Sequence, residues 1–511
     1  MNGAESLVRT LIANEVDTCF ANPGTSEMHF VAALDRVPGI RCVLALFENV
    51  ATGAADGYAR VAGKPATTLL HCGPGLANAL SNLHNARRAR VPIVNIVGDQ
   101  ATYHRPLDPP LTADTEGWAG SVSSWTRVAR SAETVGSDAA EAVQAARSGS
   151  AIATLILPSD TSWNEGRVPA GRLPIAPPLP VASSTVSACA RVLRSGEPVA
   201  LMIGGAALEQ RGLEEAHRIA DATGAKLLAP TFNRLIQRGR GRRPIQLLPY
   251  LIDNAVATFA GIRHLILVGC LSPVSFFAYP GKPRSLLPPD ATVHVLARPE
   301  EDGVEALAAL AVELSSPALA PLPQSPPPEL ASGRITSQAV AQTLAALMPE
   351  NAIIVDESVS FGFGFYPGTY TAAPHDWLQS CGGSIGNGMP LATGAAIGAP
   401  GRRVINLEGD GSAMYTLQSL WTQARESLDV TTVILSNRKY AILEAELIKV
   451  GATPGPTALD LFDLQKPTLN WVDLAHGQGV EAARAQTLEQ LADLLTASNR
   501  RKGPFLIELA V

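Results

Sequence analysis

Apolar residues along this chain gather in short unbroken runs, and between the runs they recur every three or four positions. VLALF (43–47), ATTLLH (66–71), VPIVNIVGD (91–99) and AIATLILP (151–158) read as buried strands in the first third. PVALMIGG (198–205), AKLLAP (225–230), HLILVGC (264–270) and TVHVLA (292–297) do so in the middle. AIIVDES (352–358), RVINLEGD (403–410), VTTVILSN (430–437) and FLIELAV (505–511) do so in the last third. Strands that are apolar throughout, with helical patterns between them, predict parallel sheets covered on both faces. Ligands of such sheets bind beyond the carboxyl ends of the strands.

Proline-rich stretches at 168–184 and 315–333 read as extended linkers. They divide a chain too long for one core into expected domains 1–167, 185–314 and 334–511. The predicted fold class is α/β, with three doubly wound parallel-sheet domains. Composition suits this: 46% of residues are hydrophobic and 17% charged. A net charge of −6 without a basic cluster argues against a nucleic-acid partner. The six cysteines include no CxxC pair and stand mostly in apolar runs, as reduced core thiols do. The N-terminal stretch MNGAESLVRTLIANEVD is amphipathic and lacks the apolar region of a signal peptide. No run is long enough to span a bilayer, so a cytoplasmic protein without a membrane partner is expected.

The most informative loop follows the strand ending in Gly409-Asp410-Gly411-Ser412. Gly409 and Gly411 permit a tight turn and let backbone approach a ligand. Ser412 is expected to cap a helix bearing Met414, Leu417, Leu420 and Trp421 on one face. Helix N-termini bind anions, and a carboxylate beside a bound phosphate calls for a bridging cation such as Mg²⁺. Asn437 ends the next predicted strand, where its amide oxygen could join Asp410, with the Lys439 carbonyl as a third donor. No P-loop occurs, and GDGSAM lacks the third glycine of a dinucleotide fingerprint.

Upstream, CGGSIGNGMPLATGAAIG (381–398) pairs glycines with a small-residue helix, as backbone packed on a flat ligand would require. Glu48 in FENVATGAADGYAR and His71 before Gly73-Pro74-Gly75 stand at predicted strand ends. Histidine titrates near neutrality and suits proton transfer.

Together these motifs resemble the thiamine diphosphate enzymes, whose GDG is followed at this spacing by Asn-Asn. Here Ser436-Asn437 keeps the second asparagine. The resemblance spans all three segments and implies a pyrimidine-binding, a central and a diphosphate-binding domain. It implies Mg²⁺ on Asp410, Asn437 and the Lys439 carbonyl, and cofactor contacts from Ser360, Gly383, Ile385, Gly409, Gly411, Ser412 and Tyr440. Ile385 would wedge the cofactor into a V shape, and the Gly383 carbonyl would bond its 4′-amino group. Glu48 would bond N1′, favouring the imino tautomer that takes the C2 proton and leaves an ylide.

In site motifs the chain is most similar to the benzoylformate decarboxylase branch. That likeness assigns His71 to catalysis and Thr25, Ser26 and Ile442 to the substrate side. It also breaks: Ala278, in SPVSFFAYPGKP (272–283), stands where that branch has a second histidine. An enamine left unprotonated there survives to attack a second carbonyl. Phe276 and Phe277 would make the site more apolar.

The resemblance therefore implies non-oxidative decarboxylation of a 2-oxo acid through an ylide and an enamine, with carboligation as a further outcome. The alternative is an acetolactate synthase-like carboligase. Such enzymes usually bind FAD centrally, and LMIGGAALEQRG carries no flavin signature. A homodimer or homotetramer with active sites between subunits is implied, with Glu48 of one chain facing Asp410 of another.

Overall fold

The computed structural model describes residues 1–323 and 326–511; residues 324 and 325 of the second proline-rich stretch lie outside the described residues. Three sheets carry the chain. The first has six parallel strands in the order Arg41–Leu44, Thr18–Ala21, Ala66–Leu70, Ile93–Asp99, Ile152–Pro158, Trp125–Val128. The second has five, Gln246–Leu247, Lys226–Ala229, Val199–Ile203, His264–Val268 and Thr292–Ala297, also parallel. The third has seven, Glu481–Ala485, Phe505–Ala510, Val430–Ser436, Val404–Gly409, Ala352–Glu357, His375–Gln379 and Ile236–Arg238. Every apolar run expected to be a strand is one, because burial on both faces is a local property of such runs. This is the expected α/β class with three doubly wound sheets.

Three expectations are corrected. The third sheet is not wholly parallel: Ile236–Arg238, from the segment between the linkers, joins its edge antiparallel to His375–Gln379. The residues from Ser412 to Trp421 do not form one helix. Gly409 is the N-cap of a short helix, Asp410–Ala413, and a second helix starts at Ser419. The chain breaks between them where the Thr416 hydroxyl donates to the Gly386 carbonyl at 3.0 Å. Met414, Leu417 and Leu420 still reach one apolar cluster with Trp471. Finally, Cys42 is exposed rather than a core thiol, since its strand lies at the sheet edge. No helix among the described residues is long and apolar enough to cross a membrane.

The sheets are knitted together by helices of small residues and by buried ions. Helix Glu48–Ala62 packs on helix Gly388–Gly398 at backbone distance. A Cβ on Gly394 would lie 1.7 Å from the Ala54 carbonyl oxygen, and one on Gly57 2.0 Å from that of Leu391. Arg60 and Asp56 form a fully buried pair at 2.7 Å. Arg60 also donates to the carbonyls of Arg234 and Gln379, at 3.1 and 2.7 Å, tying all three segments together. Arg238 stands over the rings of Tyr366, Tyr370 and Trp377 at 3.8, 4.4 and 4.9 Å.

Candidate active site

The ends of the parallel strands Val404–Gly409 and Val430–Ser436 are in register, Gly409 opposite Leu435. This places Asp410 against the turn at 437–439. Asp410 is buried, and its carboxylate accepts from the backbone N–H of Gly411 at 2.9 Å and of Arg438 at 2.6 Å. Burial pushes its carboxyl up to about 6 against the pull of these N–H bonds. Asn437 Oδ1 accepts from the Lys439 N–H at 3.0 Å. The turn that meets Asp410 carries the Asn437 amide oxygen and the Lys439 backbone, so the potential donors are oxygens. That all-oxygen set, around a buried carboxylate whose bonding partners are backbone N–H groups, fits Mg²⁺. Arg438 has a left-handed φ of +58°.

Glycines shape the surrounding surface. The Tyr440 ring lies on Gly411, where a Cβ would meet it at 2.4 Å. Ser412 is buried, and Val359, next to Ser360, lies beside Gly409. Gly383, at φ +78°, faces Phe276; a Cβ there would meet the ring at 2.4 Å. The loop 272–283 thus reaches the glycine loop, and Phe276 continues through Phe232, Tyr250 and Phe277 as an aromatic wall. Ile385 is half-buried next to Gly386, and Ile442 is half-buried on helix Ala441–Lys449.

Glu357, absent from the sequence reading, holds this loop from below. One of its oxygens accepts from the N–H groups of Gly386, Asn387 and Gly388 at 3.2, 3.0 and 2.8 Å. Glu408 is buried beside it, and burial together with the charge of Glu357 keeps its carboxyl well above the usual range. Asn85 and Asn82 grip the same loop, donating to the carbonyls of Ser384 at 2.8 Å and Gly386 at 3.2 Å. His84 also bonds it through the Gly382 carbonyl at 3.2 Å.

On the first sheet, Glu48 opens helix Glu48–Ala62 and is buried. Its Oε2 accepts from Asn78 at 3.0 Å, and a Cβ on Gly75 would lie 3.0 Å from its Oε1, so glycine keeps that oxygen clear. His71 precedes helix Cys72–Ala89. Its Nδ1 lies 3.0 and 3.1 Å from the two oxygens of Glu27 and 3.2 Å from Ser26 Oγ. Ser26 turns inward, whereas Thr25 is exposed. Glu27 is the second residue the sequence reading missed. It directly follows Thr25 and Ser26, and only the fold buries it against His71.

Two family models match the chain: the thiamine pyrophosphate enzyme N-terminal TPP binding domain over residues 1–118, and the C-terminal TPP binding domain over residues 364–509. A Mycobacterium tuberculosis protein named "Putative acetolactate synthase large subunit IlvX" is 53% identical, covering 100% of this chain and 99% of that one. Benzoylformate decarboxylase of Pseudomonas aeruginosa is 29% identical over 96% of this chain and 95% of its own. The thiamine diphosphate-dependent 4-hydroxybenzoylformate decarboxylase of Rhodococcus jostii shares the fold, with a TM-score of 0.86 at 24% identity over 100% of this chain and 99% of that one. The chain belongs to the thiamine pyrophosphate enzyme family.

Proposed function

We propose that the protein is a thiamine diphosphate- and Mg²⁺-dependent enzyme that decarboxylates a 2-oxo acid without oxidation. The observation that carries this is the buried Asp410 bonded across to the 437–439 turn, on a chain that also buries Glu48 at a strand–helix junction. When bound, the cofactor supplies the carbon nucleophile and electron sink that this chemistry needs. Asp410, Asn437 and the Lys439 carbonyl hold the metal, and Ser412 and Ser360 orient the diphosphate. Gly383, Ile385, Gly409, Gly411 and Tyr440 shape the cofactor surface. Glu48 Oε1 holds a proton at the buried end of the site.

The Nδ1 of His71 is taken by Glu27 and Ser26. Its Nε2 is therefore the nitrogen that gives or takes a proton near the reacting carbon. Ser26, with Thr25 and Ile442, lies on the substrate side. The rings of Phe276 and Phe277 make the surface where CO₂ would leave more apolar. Active sites lie between subunits of a homodimer or homotetramer.

A second reading, an acetolactate synthase-like carboligase, has its own support. The 53% identical relative carries such a name, and Ala278 offers no acid to end the reaction at an aldehyde. Incubation with pyruvate, benzoylformate and longer 2-oxo acids, followed by separation of aldehydes from acyloins, distinguishes the two. Release of CO₂ with aldehyde supports the first reading, and acyloin alone supports the second. No turnover of any 2-oxo acid by the cofactor- and Mg²⁺-loaded enzyme overturns both.

A further inference from the structure

One cluster around His71, in the half of the candidate site on the first sheet, has a donor set unlike the oxygen ligands around Asp410. A carboxylate oxygen of Glu27, Nδ1 of His71 and Sγ of Cys72 all lie within 4.8 Å of one another. Ser26 Oγ sits among them, 3.2 Å from Nδ1 and 3.1 Å from Sγ, and also bonds Glu27. The Glu27 side chain is entirely buried, and its bonding partners are Ser26, His71 and the Gly24 N–H at 2.8 Å. Cys72 adopts a left-handed φ of +52°, a strained conformation for a residue with a Cβ, as it opens its helix. That backbone presents its sulfur to Ser26 and His71. The imidazole keeps 23% of its surface exposed, which leaves a path from solvent.

We propose that Glu27, His71 and Cys72 form a binding site for a soft divalent cation, Zn²⁺ being the natural occupant, distinct from the Mg²⁺ site at Asp410. One nitrogen, one sulfur and one carboxylate oxygen, with a fourth position open to water, make a normal zinc donor set. Bonds of about 2.0–2.3 Å in a tetrahedron place donors roughly 3.3–3.8 Å apart. The donors therefore reach a shared ion with small side-chain shifts. A thiolate selects Zn²⁺ or Cd²⁺ over Mg²⁺, so the two cations do not compete. On binding, the thiol proton passes to solvent and the sulfur lone pair bonds the metal, while the imidazole proton that Glu27 holds on Nδ1 is lost there and taken up on Nε2. Metal on Nδ1 also prevents the imidazole from becoming a cationic acid. Occupancy thereby switches off His71, a consequence that rests on the proton-transfer role given to it above.

The test uses the enzyme saturated with thiamine diphosphate and Mg²⁺. Cadmium chloride is titrated in, and the ultraviolet sulfur-to-metal charge-transfer band is followed. Zinc chloride binding is measured by calorimetry. One equivalent per chain is expected, with affinity at least tenfold weaker in Cys72→Ser and in Glu27→Gln, and with the band lost in Cys72→Ser. Cys72→Gly, which suits the left-handed backbone, serves as a second variant should the serine form fail to fold. A missing band, or one that persists unchanged in these cysteine variants, overturns the site. Turnover is read separately: zinc inhibits the wild type and spares the cysteine variants. Binding without inhibition upholds the cation site and overturns the role of His71 instead.

Discussion

The Nδ1 atom of His71 lies 3.0 Å from the Glu27 carboxylate, and the side chain of Glu27 is entirely out of solvent. A buried carboxylate that grips one imidazole nitrogen fixes the ring's orientation and leaves the other nitrogen free for the proton transfer proposed for it. Glu27→Gln keeps the shape but loses the charge. Turnover should then fall on the order of tenfold to a hundredfold, with KM for the 2-oxo acid little changed. Steady-state kinetics at saturating cofactor check this; an unchanged kcat would separate the pair from catalysis.

Glu48 Oε1 is kept clear by Gly75 while Asn78 holds Oε2. In Glu48→Gln, exchange of the cofactor's C2 proton should slow by about a hundredfold or more. Cofactor affinity should change far less, since the proposed metal and diphosphate contacts lie on the other half of the site. Quenched-flow exchange into deuterated water, read by NMR, measures the first, and fluorescence titration measures the second.

Arg438 holds φ +58° while its N–H reaches Asp410 at 2.6 Å. Left-handed backbone disfavours residues with a Cβ by roughly 1–2 kcal/mol, partly offset by the greater freedom of glycine in the unfolded chain. Arg438→Gly should therefore stabilise the protein by about 0.5–1 kcal/mol. Arg438→Val should destabilise it and loosen Mg²⁺-dependent cofactor retention. Thermal unfolding of the three forms tests the order.

Helix Glu48–Ala62 meets helix Gly388–Gly398 backbone to backbone, and a Cβ on Gly394 would fall 1.7 Å from the Ala54 carbonyl. Gly394→Ala must push the helices apart. Overpacking of this kind costs about 1–3 kcal/mol or more. Because Glu48 starts one helix and the glycine loop leads into the other, activity should fall together with the melting temperature.

His375 is buried under Arg238, and burial, aided by the guanidinium charge, lowers its imidazole to about 3. The unfolded chain, whose histidine has the ordinary value of 6.5, binds this proton first. Its contribution to stability is therefore complete above pH 6.5 and is lost as pH falls from there towards 3, by up to about 1.4 kcal/mol per pH unit. Unfolding in urea across pH 4–8 should show that slope in the wild type and a shallower one in His375→Gln.

Much of this molecule is legible in its sequence because the relevant physics is local. Strands buried on both faces are continuous apolar runs, so the core strands were read directly. The strands missed are short or edge elements such as Gln246–Leu247 and Trp125–Val128, or polar ones. HDWLQ is fully buried at 375–379 only because Ile236–Arg238 covers its edge. Glu481–Ala485, EAARA, has a helix former's composition and pairs as an edge strand beside Phe505–Ala510.

The site divides in the same way. Sequence alone determined the residue types and their places at strand ends: Asp410 between glycines, Asn437 twenty-seven positions on, Glu48 at a strand–helix junction and His71 before its glycines. These follow from spacing along elements of known rise and direction. Tertiary structure alone decided what stands behind them. Glu27 lies 44 positions from His71, and Glu357 lies 29 to 31 positions from the N–H groups it holds. Which buried carboxylate meets which imidazole or amide depends on sheet register and helix packing, and no local pattern of apolar and polar residues encodes that.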